Sequence, residues 1–251
     1  MTFPLISCVV PVFNGERYIR DALSSILAQT YRSLEILVAD DGSTDETAAL
    51  VKGYGEQIQL LRQAHQGPAA ARNLGVGAAR GTFVAFLDAD DLWHPEKLVR
   101  QMARFRERPN LEFCITRVEN FWDQELREEQ DRFRGHSRGG ALPGYICSAL
   151  LARRALFDLV GPFNPALRHA DKTEWFLRAA ERGAAMEMLP DVLAYHRMHQ
   201  ANLSRTGAAA SLEEYLRIVK ASLDRRRGPD VSAPRPYEFP APVKHQRADA
   251  P

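Results

Sequence analysis

The stretch FVAFLDADD, residues 83–91, decides the fold, because a short apolar run passes directly into a cluster of carboxylates. Phe83–Leu87 has the length and the aromatic and aliphatic content of a buried strand. The stretch LEILVADDG, residues 34–42, repeats the pattern with a strand that ends in Asp40 and Asp41. Ligands of open α/β sheets bind beyond the carboxyl ends of the strands. The two stretches therefore predict an acidic ligand-binding edge.

Helical patterns separate these strands along the chain. Residues 5–10 form another apolar strand, whereas residues 16–30 and 69–79 carry apolar or alanine-rich patterns typical of helices. Strands that alternate with helices predict an α/β fold, with a mostly parallel sheet flanked by helices and a Rossmann-like N-terminal half. Ser43 and Glu46 have the spacing of a capping box at the start of the helix that follows the second strand.

The length of 251 residues suits one large domain. We expect this domain to cover residues 1–227, with a nucleotide-binding half over about 1–110 and an acceptor half over about 111–227. Residues 228–251 contain six prolines and few large aliphatic residues, which predicts a disordered tail.

Charge and composition exclude several classes of protein. The 33 Lys and Arg residues nearly balance the 32 Asp and Glu residues, so bulk electrostatics do not favour binding to nucleic acid. The three cysteines fit no zinc or redox spacing and favour a reducing compartment. No stretch approaches the about 20 apolar residues of a membrane helix, and the N-terminus lacks signal-peptide features. We expect a cytoplasmic protein, in solution or peripheral at the inner membrane face.

The Asp-Ala-Asp sequence of residues 88–90 suits binding of a hard divalent cation, because Mg²⁺ and Mn²⁺ prefer oxygen ligands. Such a cation neutralises charge on a departing phosphate group. The alternative is an acidic turn before the helix that begins near Pro95. Asp40 can accept hydrogen bonds from a pyrimidine imide or from ribose hydroxyls. Asp41, followed by glycine, also suits a simple turn.

Four motifs, in order, resemble the N-terminal half of family-2 inverting glycosyltransferases with the GT-A fold. They are VVPVFN at residues 9–14, VADDGSTD at 38–45, GPAAARNLG at 67–75 and FLDADD at 86–91. The resemblance is strong over residues 7–97 and extends more weakly to about Ser204. It implies transfer of one sugar from a nucleotide diphosphate sugar, with UDP the expected nucleotide, to an acceptor hydroxyl on a glycan, a lipid-linked molecule or a small molecule. Mn²⁺ or Mg²⁺ would assist, and the product would belong to a cell-surface polysaccharide or glycoconjugate.

The resemblance also implies roles for individual residues. Phe13 would lie near the uracil face, Asp40 would bond the base, and Asp88 would contact the ribose. The implied nucleotide site consists of Pro11, Phe13, Asp40, Arg72, Asp88 and Ala89, and the implied metal ligands are Asp90 and His199. Arg197 is a secondary candidate for contact with the metal or the diphosphate.

The catalytic base must be a carboxylate within reach of the acceptor hydroxyl. Residues 161–178 are similar to the family segment that supplies it, where a Glu-Asp pair is common. This chain has Ala170 and Asp171 instead, so Asp171 keeps the second acid and is our first candidate. Glu174 is the rival, because an acid directly before a tryptophan also recurs in the family. Asp171 could alternatively cap the N-terminus of a helix.

Two other functions compete with sugar transfer. A nucleotidyltransferase of related fold would need a glycine-rich basic loop after the first strand to hold a triphosphate. Residues 11–15 contain a single glycine, which counts against it. A catalytically decayed protein that only binds nucleotide sugars is the second alternative, and the acids at positions 40, 88, 90 and 171 count against it. A processive polysaccharide synthase is disfavoured, because the Gln-x-x-Arg-Trp signature is absent.

Overall fold

The computed structural model describes residues 3–133, 140–206 and 208–227. Its strands are β1 (Ile6–Val12), β2 (Leu34–Asp40), β3 (Gln59–Arg62), β4 (Phe83–Phe86), β5 (Leu92–Trp93), β6 (Phe113–Trp122), β7 (Leu142–Pro143), β8 (Leu151–Arg153) and β9 (Met186–Met198). Its helices are α1 (Ile19–Leu27), α2 (Thr47–Lys52), α3 (Pro68–Ala78), α4 (Lys97–Glu107), α5 (Arg127–Phe133), α6 (Ala155–Val160), α7 (Asp171–Glu181), α8 (Leu203–Thr206) and α9 (Ala208–Arg227). None of these described helices is both long and apolar enough to cross a bilayer. The expected tail, residues 228–251, lies outside the described residues.

One sheet joins the strands in the order β3-β2-β1-β4-β8-β6-β9-β5, and β7 pairs with β6. The first four strands in this order are all parallel to one another, as in a Rossmann-like half. Antiparallel pairs belong to the second half, where β8 joins β4 to β6 and β5 joins the edge of β9. The predicted α/β fold with helices flanking the sheet is confirmed.

Strand β1 lies at the centre of the parallel half and is buried along its whole length. A strand that is covered on both faces needs a nearly continuous apolar run, which its sequence ISCVVPV supplies apart from Ser7, whose hydroxyl donates to Glu35. Helix α3 packs directly against this strand at Gly75, where an added Cβ would lie 2.3 Å from Cγ1 of Val9. Glycine is therefore required at this position, and the close packing fixes the height of α3 above the sheet.

The predicted capping box is wrong. Helix α2 begins only at Thr47, and the Ser43 hydroxyl accepts a hydrogen bond from the backbone N–H of Asn14 at 2.9 Å. The backbone N–H of Glu46 donates to the Glu16 carboxylate at 2.9 Å. Asn14 adopts a positive φ of 50°, which turns its backbone toward this loop. The turn after β1 thus takes the partners that a local cap would have used.

A lysine lies in the core beside the sheet. Lys97 is fully buried, its Nζ donates to Oε1 of Gln101 at 2.9 Å, and it lies 4.3 Å from the ring centre of Trp93. Burial lowers the pKa of Lys97 from its ordinary value of 10.5 to about 7, because a low-dielectric surrounding disfavours the charged form.

Replacing Lys97 with methionine should change the pH dependence of stability. Between pH 7 and 10.5 the unfolded chain binds a proton that the folded lysine lacks, so this residue makes wild-type stability rise with pH in that window. The Lys97→Met protein has no such group. We expect its free energy of unfolding to exceed that of the wild type, with the largest difference near pH 7 and a smaller one toward pH 10. Urea unfolding of both proteins across this range measures the difference. A difference that stays constant with pH would contradict the prediction.

Candidate functional site

The carboxyl ends of β2 and β4 lie on either side of β1 and carry the predicted acidic clusters. Asp40 is the last residue of β2 and is fully buried; its Oδ1 accepts from the Ser43 backbone at 2.8 Å, and its Oδ2 lies 2.8 Å from Nε of Arg62. The Asp88 side chain remains partly exposed. The two clusters therefore share one edge of the sheet, with Asp40 beneath the surface and Asp88 accessible.

Asp41 organises the loop that precedes α3. Its carboxylate accepts hydrogen bonds from the Gln66 and Gly67 backbones at 2.9 and 2.7 Å and from the Gln63 side chain at 2.7 Å. The His65 ring nitrogen Nδ1 lies 2.9 Å from the same carboxylate. Asp41 therefore holds the loop at residues 63–67, which is 22–26 positions further along the chain, rather than only the local turn at Gly42, whereas Asp40 has a different set of partners.

Phe13 and His65 form an aromatic pair at this edge. Their ring centres are 4.1 Å apart and the planes differ by 33°, while the Phe13 ring stays partly exposed and Pro11 is buried within β1. An exposed aromatic face can stack on a nucleobase, because every base presents a π-surface. His65 was not identified from the sequence, since nothing in its spacing indicates a contact with a residue 52 positions earlier.

Arg72 bridges two carboxylates from different parts of the chain. Its Nη2 donates to Oδ1 of Asp88 at 2.8 Å and its Nη1 donates to Oδ2 of Asp171 at 2.5 Å. Burial by itself would raise the pKa of Asp88, but the charges of Arg72 and Lys172 outweigh it and hold that pKa below its usual range. The buried Nε of Arg72 has no hydrogen-bond partner among the described residues. This Nε–H is therefore an unpaired donor inside the protein, next to the two carboxylates that the Nη atoms bind.

Asp90 and His199, the two predicted metal ligands, are adjacent. Nε2 of His199 lies 2.9 Å from Oδ2 of Asp90, and Nδ2 of Asn202 lies 3.4 Å from the same oxygen. The contact exists because β5, which follows Asp90, pairs with β9, which precedes His199. Residues 109 positions apart in sequence are thereby brought to one point.

The residues at this point fit a divalent cation that a substrate helps to hold. Within residues 3–133, 140–206 and 208–227, no group of three or more His, Cys, Asp or Glu residues could bind a metal by itself. One carboxylate and one imidazole are an incomplete set. Mg²⁺ is commonly bound by one or two carboxylates together with phosphate oxygens and waters, so the pair suits a cation shared with a phosphate-bearing ligand.

Arg197 holds the Asp90 loop and contacts two carboxylates. Its Nε donates to the backbone oxygen of Asp90 at 2.9 Å, and its two Nη atoms contact the Asp123 and Asp21 carboxylates at 3.2 and 2.9 Å. All three nitrogens have protein partners. These contacts favour a positioning role for Arg197, and its contact with the metal or the diphosphate stays a prediction.

Asp91 and Ser148 hold the loop that carries the Asp88 and Asp90 carboxylates. The Ser148 hydroxyl donates to Oδ2 of Asp91 at 2.6 Å and accepts from the backbone N–H of Asp88 at 3.1 Å. Nδ1 of His196 lies 2.9 Å from Oδ1 of Asp91. Burial would lower the pKa of His196, but the Asp91 charge outweighs it and raises the pKa to about 9. No sequence signal distinguished Ser148.

The two candidate bases occupy different surroundings. Asp171, the first residue of α7, is buried and contacts Arg72 in the carboxylate cluster. Glu174 pairs with Arg178 through both of its oxygens, at 2.7 and 2.9 Å, and Arg178 also donates to the backbone oxygen of Pro162 at 2.6 Å. Asp171 makes no capping bond to its own helix, so the helix-cap interpretation of this residue is wrong.

The Glu214 carboxylate on α9 binds the loop at residues 168–170, which precedes Asp171. Glu214 accepts hydrogen bonds from three successive backbone N–H groups, those of Arg168, His169 and Ala170, at 3.0, 2.8 and 2.9 Å. Burial would raise the pKa of Glu214, but these bonds outweigh it and lower the pKa. Since backbone amides near a helix N-terminus need acceptors, Glu214 fixes the approach to α7.

Residues 7–161 match the sequence profile described as Glycosyl transferase family 2. An uncharacterized glycosyltransferase of Rickettsia prowazekii is 30% identical over 223 residues, which covers 84% of this chain and 69% of that protein. One from a Nostoc species is 30% identical over 224 residues, covering 83% of this chain and 69% of the relative.

The fold is similar to those of two experimentally determined glycosyltransferase structures. S. aureus TarS 1–349 in complex with UDP-GlcNAc has a TM-score of 0.73 at 21% identity over 89% of this chain. The mannosyltransferase PcManGT from Pyrobaculum calidifontis, in complex with GDP-Man and Mn²⁺, has a TM-score of 0.68 at 24% identity over 92% of this chain. The chain spans 67% and 66% of the lengths of these structures, respectively. At such identities the likeness establishes the fold alone.

Proposed function

The chain belongs to glycosyl transferase family 2, and on this premise we propose that it moves one sugar from a nucleotide diphosphate sugar to an acceptor hydroxyl. We propose UDP as the nucleotide, a single displacement that inverts the anomeric centre, and assistance by Mn²⁺ or Mg²⁺. One observation carries the proposal: Arg72 joins Asp88 to Asp171 at the same sheet edge where Asp90 meets His199. The acidic groups suited to the nucleotide and the cation, which follow β4, are thus joined to the one suited to the acceptor, which comes from α7.

The nucleotide half of the donor suits the edge beside β1. The exposed face of Phe13, backed by His65, offers a stacking surface for the base, and Asp40 lies at the end of the neighbouring strand. Asp88 would accept hydrogen bonds from ribose hydroxyls, since its carboxylate stays ionised next to Arg72. The ligands of the two similar structures, UDP-GlcNAc and GDP-Man, are nucleotide diphosphate sugars and support this type of donor.

Asp90 and His199 would hold the divalent cation, with the donor diphosphate as the remaining ligand. Bound there, the cation would act as a Lewis acid that neutralises charge on the leaving diphosphate. Arg197 and Asn202 would keep the Asp90 loop in place through the contacts described above. The presence of Mn²⁺ in the PcManGT structure supports a divalent metal.

Asp171 would act as the general base. Its carboxylate would take the proton of the acceptor hydroxyl while that oxygen forms a bond to the anomeric carbon. The bond from that carbon to the diphosphate oxygen breaks in the same step, and the electron pair leaves with the nucleotide diphosphate. Arg72 would orient the Asp171 carboxylate toward the donor, because the same guanidinium holds Asp88.

A binding experiment tests the donor and the metal together. UDP with Mn²⁺ should raise the melting temperature of the protein, because a ligand that binds only the folded state stabilises it by mass action, by about 2.7 kcal/mol at one hundred times its Kd. Uridine with Mn²⁺ should give a much smaller rise. Asp90→Asn should remove the part of the effect that depends on Mn²⁺, whereas Asp224→Asn, at an exposed position on α9, should leave it unchanged.

Two outcomes would count against the proposal. Equal stabilisation by UDP in excess chelator would rule out a role for the metal in donor binding. No binding of UDP, GDP or dTDP under any metal condition would reject the nucleotide-sugar donor itself.

A further inference from the structure

The outward face of α9 carries a row of exposed aliphatic side chains. Leu212, Leu216, Val219 and Leu223 are 61%, 64%, 46% and 43% exposed; we call these four residues the α9 stripe. Other large exposed hydrophobic residues of the described chain, such as Leu27 on α1 and Leu159 on α6, stand singly on their elements. Single exposed apolar residues are ordinary, whereas a contiguous row marks a contact surface.

The stripe is separate from the face that holds α9 to the rest of the protein. Glu214, Ile218 and Ser222 are buried on that inner face, and the Ser222 hydroxyl donates to Glu181 of α7 at 2.5 Å. The helix is therefore already anchored without the stripe. Four aliphatic residues beyond this anchor have no part in the described core.

The spacing of the stripe matches a helix–helix seam. Its residues follow one another at intervals of four, three and four, which is the alternation of the two apolar positions in a coiled-coil heptad. Such a row packs best against another helix with the same spacing. An α9 helix from a second copy of the chain has this spacing by definition.

We propose that the α9 stripe is the contact between two copies of this chain, with their α9 helices antiparallel. Glu213 and Lys220 border the stripe at equivalent heptad positions. In an antiparallel pair these positions face each other across the seam, so Glu213 of each copy would face Lys220 of its partner. A two-fold interface requires such self-complementarity, and charges beside the seam set helix orientation.

The charges beside the stripe favour a protein partner over a membrane surface. A helix that lies on anionic lipid carries basic residues along its polar face. Beside the stripe the polar face of α9 instead mixes signs, with Glu213 and Asp224 beside Arg217 and Lys220, and the arginines at positions 225–227 are confined to the last turn of the helix. Opposite charges that can pair across a seam fit a second copy of the helix.

Sedimentation velocity of the full chain, over a wide range of protein concentration, tests the proposal. The wild-type protein should sediment as a dimer that dissociates on dilution. Leu216→Glu should be monomeric at concentrations where the wild type is dimeric, because it places a charge in the middle of the seam. Leu159→Glu, at a position 48% exposed on α6, is the matched control and should remain dimeric.

A charge exchange provides a second test that does not depend on an apolar substitution. Glu213→Lys should weaken the dimer, and Glu213→Lys combined with Lys220→Glu should restore it. A wild-type monomer at every concentration would overturn the proposal, as would a dimer that survives Leu216→Glu. Binding of monomeric wild type to vesicles of anionic phospholipid, lost in Leu216→Glu, would also overturn it and assign the stripe to a membrane. None of these outcomes depends on the proposed donor or acceptor.

Discussion

Replacing Asp171 with asparagine should lower kcat by about 10²- to 10⁴-fold, the usual contribution of a positioned general base. Asparagine keeps the size of the side chain and can still accept a hydrogen bond from Arg72, but it cannot take a proton. The KM for the donor should change much less than kcat, because the asparagine can keep the bond from Arg72, which holds Asp88 of the proposed nucleotide site. Steady-state kinetics with a nucleotide sugar that the protein turns over, with calorimetry of UDP binding, separate the two effects.

Glu174 provides a matched control on the same helix. It lies three residues after Asp171, and both of its oxygens are engaged by Arg178. Glu174→Gln should therefore lower thermal stability slightly and leave kcat within a few-fold of wild type. If Glu174→Gln instead causes the large loss of kcat and Asp171→Asn does not, Glu174 is the base and the proposed role of Arg72 is wrong.

Replacing Arg72 with methionine should reduce the free energy of unfolding by about 3–5 kcal/mol, the cost of removing one partner from a buried ion pair. The substitution leaves Asp171 buried without its counter-charge and Asp88 partly so. Because Asp88 retains some solvent contact, the lower end of this range is the expected result. Urea unfolding at neutral pH measures the change, and donor binding should be lost in parallel.

A double-variant cycle separates the ion pair from general packing. Adding Asp171→Asn to Arg72→Met should recover part of the lost stability, because the neutral amide no longer needs a positive partner, so the two effects should be clearly non-additive. Arg80→Met is the control, since Arg80 pairs with Glu35 at 2.8 Å but is largely exposed. Without Arg80 the Glu35 carboxylate, which is 8% exposed, keeps hydrogen bonds from the Ser7 hydroxyl and the Gly81 backbone, so the loss should be about 1 kcal/mol or less. Equal losses for Arg72→Met and Arg80→Met would contradict the importance of the buried bridge.

Much of the fold followed from local patterns in the sequence. Strands β1, β2 and β4 are apolar runs bounded by turn residues, and such runs can be recognised without knowledge of their neighbours. Strand β2 ends at Asp40 and β4 ends two residues before Asp88, so both aspartates lie at the sheet edge that the sequence predicts. The Asp-Ala-Asp pattern and the family resemblance indicate Asp90, the resemblance alone indicates His199, and the structure brings the two into contact; whether they bind a metal stays a prediction.

What the sequence did not indicate depends on single residues with distant partners. Ser148, His65 and Glu214 act through contacts to residues 57, 24 and about 45 positions away. A single serine or glutamate forms no sequence motif that predicts such a contact. The capping box failed for the related reason that a distant backbone group, the N–H of Asn14, competed successfully for the Ser43 hydroxyl.

The hydrogen bonds from the loop before Asp171 to Glu214 couple the local unfolding of this loop to that of α9. The N–H groups of Arg168, His169 and Ala170 can exchange hydrogen with water only when α9 releases them. These amides and the inner face of α9 should therefore exchange at a common rate, as one cooperative unit within the native state. The position of Asp171, the proposed base, thus depends on α9, a helix that has no atom in the proposed reaction.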